Sequence, residues 1–295
     1  MIYGNAARHM DTDYQDRFWT SPDGLKLHFR DYAGAADRPP VICLPGLTRN
    51  SRDFAELAQR LSPQWRVICI DNRGRGDSEY AADPASYTPP TYVGDLLALL
   101  EQEGIERFVS IGTSLGGLMT MMLAAIQPHR LAGALINDIG PVIDPAGLER
   151  IGSYVGQSRS YESWMQAAHA LHETGETTFP AYDVADWLAM AKRSMAVGSN
   201  GRISADYDLK IAQPFANTDN AAPPDLWPAY AALADIPLAV LRGELSDLLS
   251  PATIAEMKQR TPQAEFVTVP GVGHAPMLDE QASLAAIDRL LAKIA

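Results

Sequence analysis

The segment Gly112-Thr113-Ser114-Leu115-Gly116-Gly117 follows an apolar run, Phe108 to Ile111, and opens an apolar helical stretch. A G-x-S-x-G at such a junction predicts a sharp strand-to-helix turn that lifts the Ser114 hydroxyl clear of a sheet, with glycines where strand and helix nearly touch. A serine hydroxyl is a poor nucleophile at neutral pH and needs a base. Of six histidines, His274 is placed best, in Pro270-Gly271-Val272-Gly273-His274-Ala275-Pro276 after the last apolar run and before the last helix. Open α/β sheets present functional groups at such strand ends. His28 falls in a predicted hairpin strand, His129 follows a helix end at Pro128, and His9 sits in the N-terminal tail. His169 and His172 share a helix face without an assembled ligand set, so no metal site is expected there.

A third group must orient the imidazole and stabilise its positive charge. Asp247, in Leu241-Arg242-Gly243-Glu244-Leu245-Ser246-Asp247 leaving the seventh strand, gives the chain order Ser114, Asp247, His274, which is that of one triad architecture. Glu244 on the same loop and Asp138, which ends the sixth strand in Asn137-Asp138-Ile139-Gly140, are its rivals. Attack on a carbonyl creates an oxyanion that needs preorganised N–H donors. The Leu115 amide at the helix start and the Leu47 amide in Leu44-Pro45-Gly46-Leu47 are the expected pair.

These groups require a scaffold, and the apolar pattern supplies one. Arg17 to Thr20 and Lys26 to Tyr32 flank Ser21-Pro22-Asp23-Gly24 and predict a hairpin. Val41 to Leu44, Arg66 to Ile70, Phe108 to Ile111, Gly133 to Asn137, Leu238 to Leu241 and Glu265 to Val269 read as central strands, which makes eight in all. Helical patterning between them, over Ser51 to Leu61, Thr91 to Glu103, Leu115 to Gln127, Pro251 to Arg260 and Glu280 to Ile294, supplies the crossovers of an α/β fold. From Gly140 to about Asp235 no strand is evident, while Ala146 to Val155, Tyr161 to His172 and Val184 to Met195 look helical. This stretch carries Trp164, Trp187, Trp227, Met165, Met190 and Met195; Trp164, Trp187 and Met190 are the expected pocket residues. Its return is rich in proline, with Pro214, Pro223, Pro224 and Pro228.

Of 295 residues 46% are hydrophobic, and 24 Lys+Arg face 36 Asp+Glu for a net charge of −12. That charge, with no basic cluster to reverse it locally, disfavours nucleic acid and anionic membrane surfaces as partners. The longest nearly apolar stretch, Leu118 to Ile126, falls well short of the ~18 residues that span a bilayer. Met1 to Arg17 has no apolar block after a basic start, so no secretory signal is read and the cytoplasm is the expected compartment. Cys43 and Cys69 lie inside apolar strands as small hydrophobes, neither bridged nor metal-binding.

Asp71-Asn72-Arg73-Gly74-Arg75-Gly76-Asp77-Ser78 resembles the D-x-R-G-x-G-x-S turn that follows the fourth strand in α/β-hydrolases, where it is mainly structural. With the elbow, the oxyanion turn, the acid loop and the Gly-His loop in family order, almost the whole chain resembles a capped member of that superfamily. The resemblance implies a mostly parallel eight-stranded α/β sheet with helices on both faces, a core over 1–140 and 236–295, and a helical cap over 141–235. Pro45-Gly46 stands where many relatives have His-Gly, so side-chain support for that turn must come from elsewhere, and Pro45 is a candidate for a cis bond. Ser114 sets the chain apart from the dehalogenases and epoxide hydrolases, which carry aspartate at the elbow.

The pattern is similar to small-molecule esterases, enol-lactonases and hydrolases of vinylogous diketones. It implies cleavage of small to medium acyl or aryl esters through an acyl-enzyme, with no metal or organic cofactor and a small-molecule ester or lactone as partner. Lactone or carbon-carbon cleavage is the alternative, with Arg159, Lys192 and Arg193 near a substrate carboxylate; a ligand sensor is a third reading. No oligomeric state follows.

Overall fold

A computed structural model of the chain describes residues 14–216 and 225–294. His9, Pro223, Pro224 and most of the N-terminal tail lie outside the described residues. The Asp23-Gly24 step turns the chain between β1 (Tyr14–Thr20) and β2 (Lys26–Tyr32), with Gly24 at φ 91°, and the two strands pair antiparallel. After β3 (Val41–Leu44), a 3-10 turn (Ser51–Phe54) leads into α1 (Ala55–Leu61). Then come β4 (Val67–Ile70), α2 (Pro89–Gln102), β5 (Phe108–Thr113), α3 (Leu115–Ile126) and β6 (Leu131–Asn137).

Between β6 and the next strand of the large sheet the chain makes α4 (Pro145–Tyr154), β7 (Ser160–Tyr161), α5 (Trp164–Gly175), α6 (Val184–Ser194), β8 (Met195–Val197), β9 (Ile203–Ala205), α7 (Ala212–Ala216) and α8 (Trp227–Ala231). The inserted helices fall where periodicity places them, but the insertion is not all helical. β7, β9 and β8 form a small antiparallel sheet of their own. Strands of two or three residues are too short to leave an alternating pattern in the sequence. β10 (Leu238–Gly243), α9 (Pro251–Arg260), β11 (Glu265–Val269) and α10 (Gln281–Leu291) complete the chain.

The large sheet runs β1-β2-β4-β3-β5-β6-β10-β11, parallel from β4 onward. Alternation along its strands fills two cores. Ile42 and Leu44 point with Leu96 and Leu99 of α2 and Met119 of α3 into one, while Val41 and Cys43 point with Leu57 of α1 and Ile287 of α10 into the other. Each fully buried side chain of this size contributes about 1.5–3 kcal/mol, so helices on both faces are what a sheet apolar on both faces demands. Cys43 and Cys69 are free, buried register partners on β3 and β4. Among the described residues no helix is long and apolar enough to cross a membrane.

A buried polar group ties the hairpin to the loops above β3 and β4. His28 places Nδ1 2.7 Å from Asp71 Oδ2 and Nε2 2.9 Å from Asp16 Oδ1. Asp71 in turn accepts the amides of Ser51 and Asp77, at 2.6 and 3.1 Å. Burial alone would lower the His28 pKa, but Asp71 first, then Asp16 and Asp77, outweigh it and raise it. A raised folded-state pKa contributes stability that is fully present below about pH 6.5 and is lost as pH rises through the folded value. The wild type should therefore exceed His28→Gln in melting temperature by more at about pH 6 than at about pH 9; an equal difference at both pH values would refute the charged pairing.

Candidate active site

The elbow is built by contact distances that only glycine permits. A Cβ on Gly112 would stand 2.4 Å from the Gly116 carbonyl oxygen, and one on Gly116 would stand 2.1 Å from the Leu44 carbonyl oxygen. β5, α3 and β3 are thus pressed together, and the turn between strand and helix puts Ser114 at φ 52°, ψ −113°. Such a backbone costs a non-glycine residue about 1–3 kcal/mol and persists only where its surroundings impose it. Here the Ser114 amide donates to the Asn137 carbonyl at 2.9 Å, and Asn137 Nδ2 donates to Thr113 Oγ1 and to the Pro276 carbonyl, at 3.0 and 2.8 Å. Asn137, fully buried at the end of β6, joins the elbow to the loop that carries His274.

His274 Nε2 lies 2.9 Å from Ser114 Oγ and its Nδ1 lies 2.7 Å from Asp138 Oδ2. Because a carboxylate only accepts, Nδ1 carries the proton and the Ser114 hydroxyl donates to a bare Nε2. Asp138, with no solvent exposure and φ 55°, also accepts the Gly243 amide and the Ser246 hydroxyl, each at 2.7 Å.

The expected acid, Asp247, is not the partner of His274. Its carboxylate takes Nε and Nη2 of Arg150, at 2.5 and 2.9 Å. That bond, more than the proximity of His274, holds its pKa below the usual carboxylate range. The loop after β10 turns Ser246 inward onto Asp138 and Asp247 outward onto α4, so the carboxylate that reaches the imidazole comes from the adjacent strand, β6. Glu244 is also elsewhere, accepting the Gly271 amide.

Leu47 follows β3 beside the elbow, and Leu115 is the first residue of α3, where an N–H has no carbonyl within its helix to bond. Among the described residues no acceptor is recorded for the Leu47 amide. Its carbonyl is pinned by Arg75, whose Nε donates to it at 2.9 Å while Nη1 donates to the Arg73 carbonyl and the Tyr92 hydroxyl, at 2.7 and 3.0 Å. Arg75 is fully buried. It is the support that Pro45-Gly46 leaves open, and the peptide bond before Pro45 is not cis.

Ser114 and His274 open into a cavity of about 280 Å³ whose far wall belongs to the insertion. Trp187, Met190 and Met195 line it. Trp164 does not; it packs against the insertion's own small core, Met165 is half exposed, and Trp227 meets Tyr230 edge to face beneath Arg260. Arg159 lines the cavity, whereas Lys192 and Arg193 do not. The insertion also holds the loop that carries His274, since the Gly273 amide donates to the Thr178 carbonyl at 2.7 Å.

The described residues that cluster at metal-ligating distance are His28, Asp71 and Asp77, away from this site, with His28 and Asp71 bonded to each other. His169 and His172 instead face Glu173 and Glu176 along α5.

The Alpha/beta hydrolase family model matches residues 41–287. A 3-hydroxybutyrate-oligomer hydrolase of Cupriavidus necator is 34% identical over 273 residues, 90% of this chain and 92% of its own. A 2-(acetamidomethylene)succinate hydrolase of Mesorhizobium japonicum is 26% identical over 80% of this chain and 81% of its own. The crystal structure of an alpha/beta hydrolase from Novosphingobium aromaticivorans superposes with a TM-score of 0.92 at 59% identity, covering 96% of this chain and 99% of that one.

The two carboxylates are separable by experiment. Labelling of Ser114 by a fluorophosphonate should slow by about 10²–10⁴-fold in Asp138→Asn, the contribution typical of a positioned base, and by less than about threefold in Asp247→Asn. The reverse order of effects, in variants whose circular dichroism matches the wild type, would return the acid to Asp247.

Proposed function

The chain belongs to the alpha/beta hydrolase family, and on that premise we propose that it is a serine hydrolase cleaving small to medium carboxylic esters through a covalent acyl-enzyme. The observation that carries the reading is the unbroken line from Asp138 through His274 to Ser114, at 2.7 and 2.9 Å, at the floor of a mostly apolar cavity. The relative from Cupriavidus necator adds support, because oligomers of a hydroxy acid are joined by ester bonds.

In the proposed reaction His274 Nε2 takes the Ser114 proton as Oγ attacks the ester carbonyl. Negative charge gathers on the carbonyl oxygen, between the amides of Leu47 and Leu115. The positive end of α3 and a turn held rigid by Arg75 make that charge cheaper than it is in water. His274 then returns the proton to the leaving alkoxide, and the acyl group stays on Ser114. Water, deprotonated by the same Nε2, releases the acid. Throughout, Asp138 keeps the imidazole in one tautomer and balances its transient charge. The insertion, with Trp187 and Met190 over the floor, acts as the cap that selects the acyl group.

Turnover of p-nitrophenyl butyrate should be fast in the wild type and fall by roughly 10⁴-fold or more in Ser114→Ala. Equal activity in both proteins would remove Ser114 from the chemistry. A Ser114-dependent burst with little turnover after it would favour lactone or carbon-carbon bond cleavage instead.

A further inference from the structure

Although the chain carries a net charge of −12, the cavity that holds Ser114 is lined by three arginines, Arg49, Arg150 and Arg159, and by one acid, Asp53. Arg49 runs beside the nucleophile: a Cβ on Gly46 would meet Arg49 Cγ at 3.4 Å and Ser114 Cβ at 3.7 Å. Its guanidinium gives Nε and Nη2 to Asp53, at 2.6 and 2.5 Å. Arg150 repeats the arrangement on Asp247, which does not line the cavity. Nη1 of Arg49 makes no hydrogen bond among the described residues, whereas Arg150 also has the Tyr154 hydroxyl within reach. Arg159, exposed to solvent where it lines the cavity, is less neutralised still. Its one recorded bond goes from Nη2 to the neutral amide oxygen of Gln157, at 2.7 Å, and no carboxylate pairs with it among the described residues.

A guanidinium offers five donors in a planar fork, and a second edge stays available after the first has taken a carboxylate. A neutral acyl chain filling this cavity would displace water from the donors that face it and return nothing to them. A ligand with an anionic, planar, two-oxygen end would satisfy them, while Trp187 and Met190 would cover its apolar part. The field of the whole chain does not help such a ligand approach, so selection must be made locally in the cavity.

We propose that the substrate is an ester that also bears a free carboxylate, bound by the arginine cluster with Arg159 as its principal partner. This rests on the serine ester-hydrolase reading, and the experiment separates the two. Two matched pairs serve as probes: mono-p-nitrophenyl adipate against p-nitrophenyl hexanoate, with the carboxylate on the acyl side, and 3-butyryloxybutanoate against its methyl ester, with the carboxylate on the alcohol side.

In at least one pair the wild type should favour the acid in kcat/KM by about tenfold or more, mainly through KM, and the preference should shrink as salt is raised from about 0.05 to 0.5 M. Arg159→Gln should lower that preference about tenfold, the loss of one charge-assisted contact. Lys192→Gln, which removes a charge of the same element group away from the cavity, should leave it unchanged. Ser114-dependent turnover with no preference in either pair overturns the proposal and leaves the ester reading standing, as does a preference that Arg159→Gln does not alter. No Ser114-dependent turnover of any of the four probes overturns the ester reading itself.

Discussion

A carboxylate taken out of water must be given donors, and the fully buried Asp138 finds three, on two stretches of chain. The Gly243 amide and the Ser246 hydroxyl fix the end of β10 and the loop directly after it, and His274 Nδ1 fixes the loop after β11. Leaving one of them unmade would strand a buried charge or its donor, so these two stretches have little freedom to move apart. The position of His274 relative to Ser114 is set from the other side by Asn137, which bonds both the elbow and the His274 loop. Two consecutive residues at the end of β6 thus hold together segments that are far apart in sequence.

The rest of the site is arranged around that clamp by packing. Close approach of β3, β5 and α3 at Gly112 and Gly116 puts Ser114 in its strained conformation and brings the Leu47 turn beside the helix start. Buried arginines then do what the backbone alone does not. Arg75 anchors Leu47, and Arg73 spans Asp23 of the hairpin and Asp95 of α2. Paired with two carboxylates in this way, Arg73 contributes geometry more than stability.

The eight strands, their crossovers, the elbow and the loop that brings His274 to Ser114 were all legible in the sequence, because each leaves a local pattern: an apolar run, a helical period, a glycine-serine turn. The carboxylate that bonds His274 was not. β6 and β10 are parallel neighbours whose C-terminal ends open at the same edge of the sheet, so Asp138 and Asp247 both stand at plausible addresses. What separates them is the direction in which one loop turns, with Ser246 facing in and Asp247 facing Arg150. That depends on a partner almost a hundred positions away, and chain order carries no trace of it. Trp164 was misplaced for a related reason, since helical spacing identifies an apolar face but not whether it meets a cavity or the insertion's own core. Arg75 lay within a motif read as structural, and only the fold shows that its structural task is to hold the Leu47 turn.

The insertion begins just after β6 and ends just before β10, and these strands are hydrogen-bonded neighbours. Because the two strands run parallel, the chain leaves the C-terminal end of β6 and must come back to the opposite end of β10, so the insertion is part of a crossover and not of a hairpin. The entropy of closing a loop grows only slowly with its length, so lengthening, shortening or refolding the insertion between these fixed strand ends costs the sheet little. The part of the chain that walls the cavity opposite Ser114 can therefore change in length and fold without moving the strand ends that hold Ser114, Asp138 and His274.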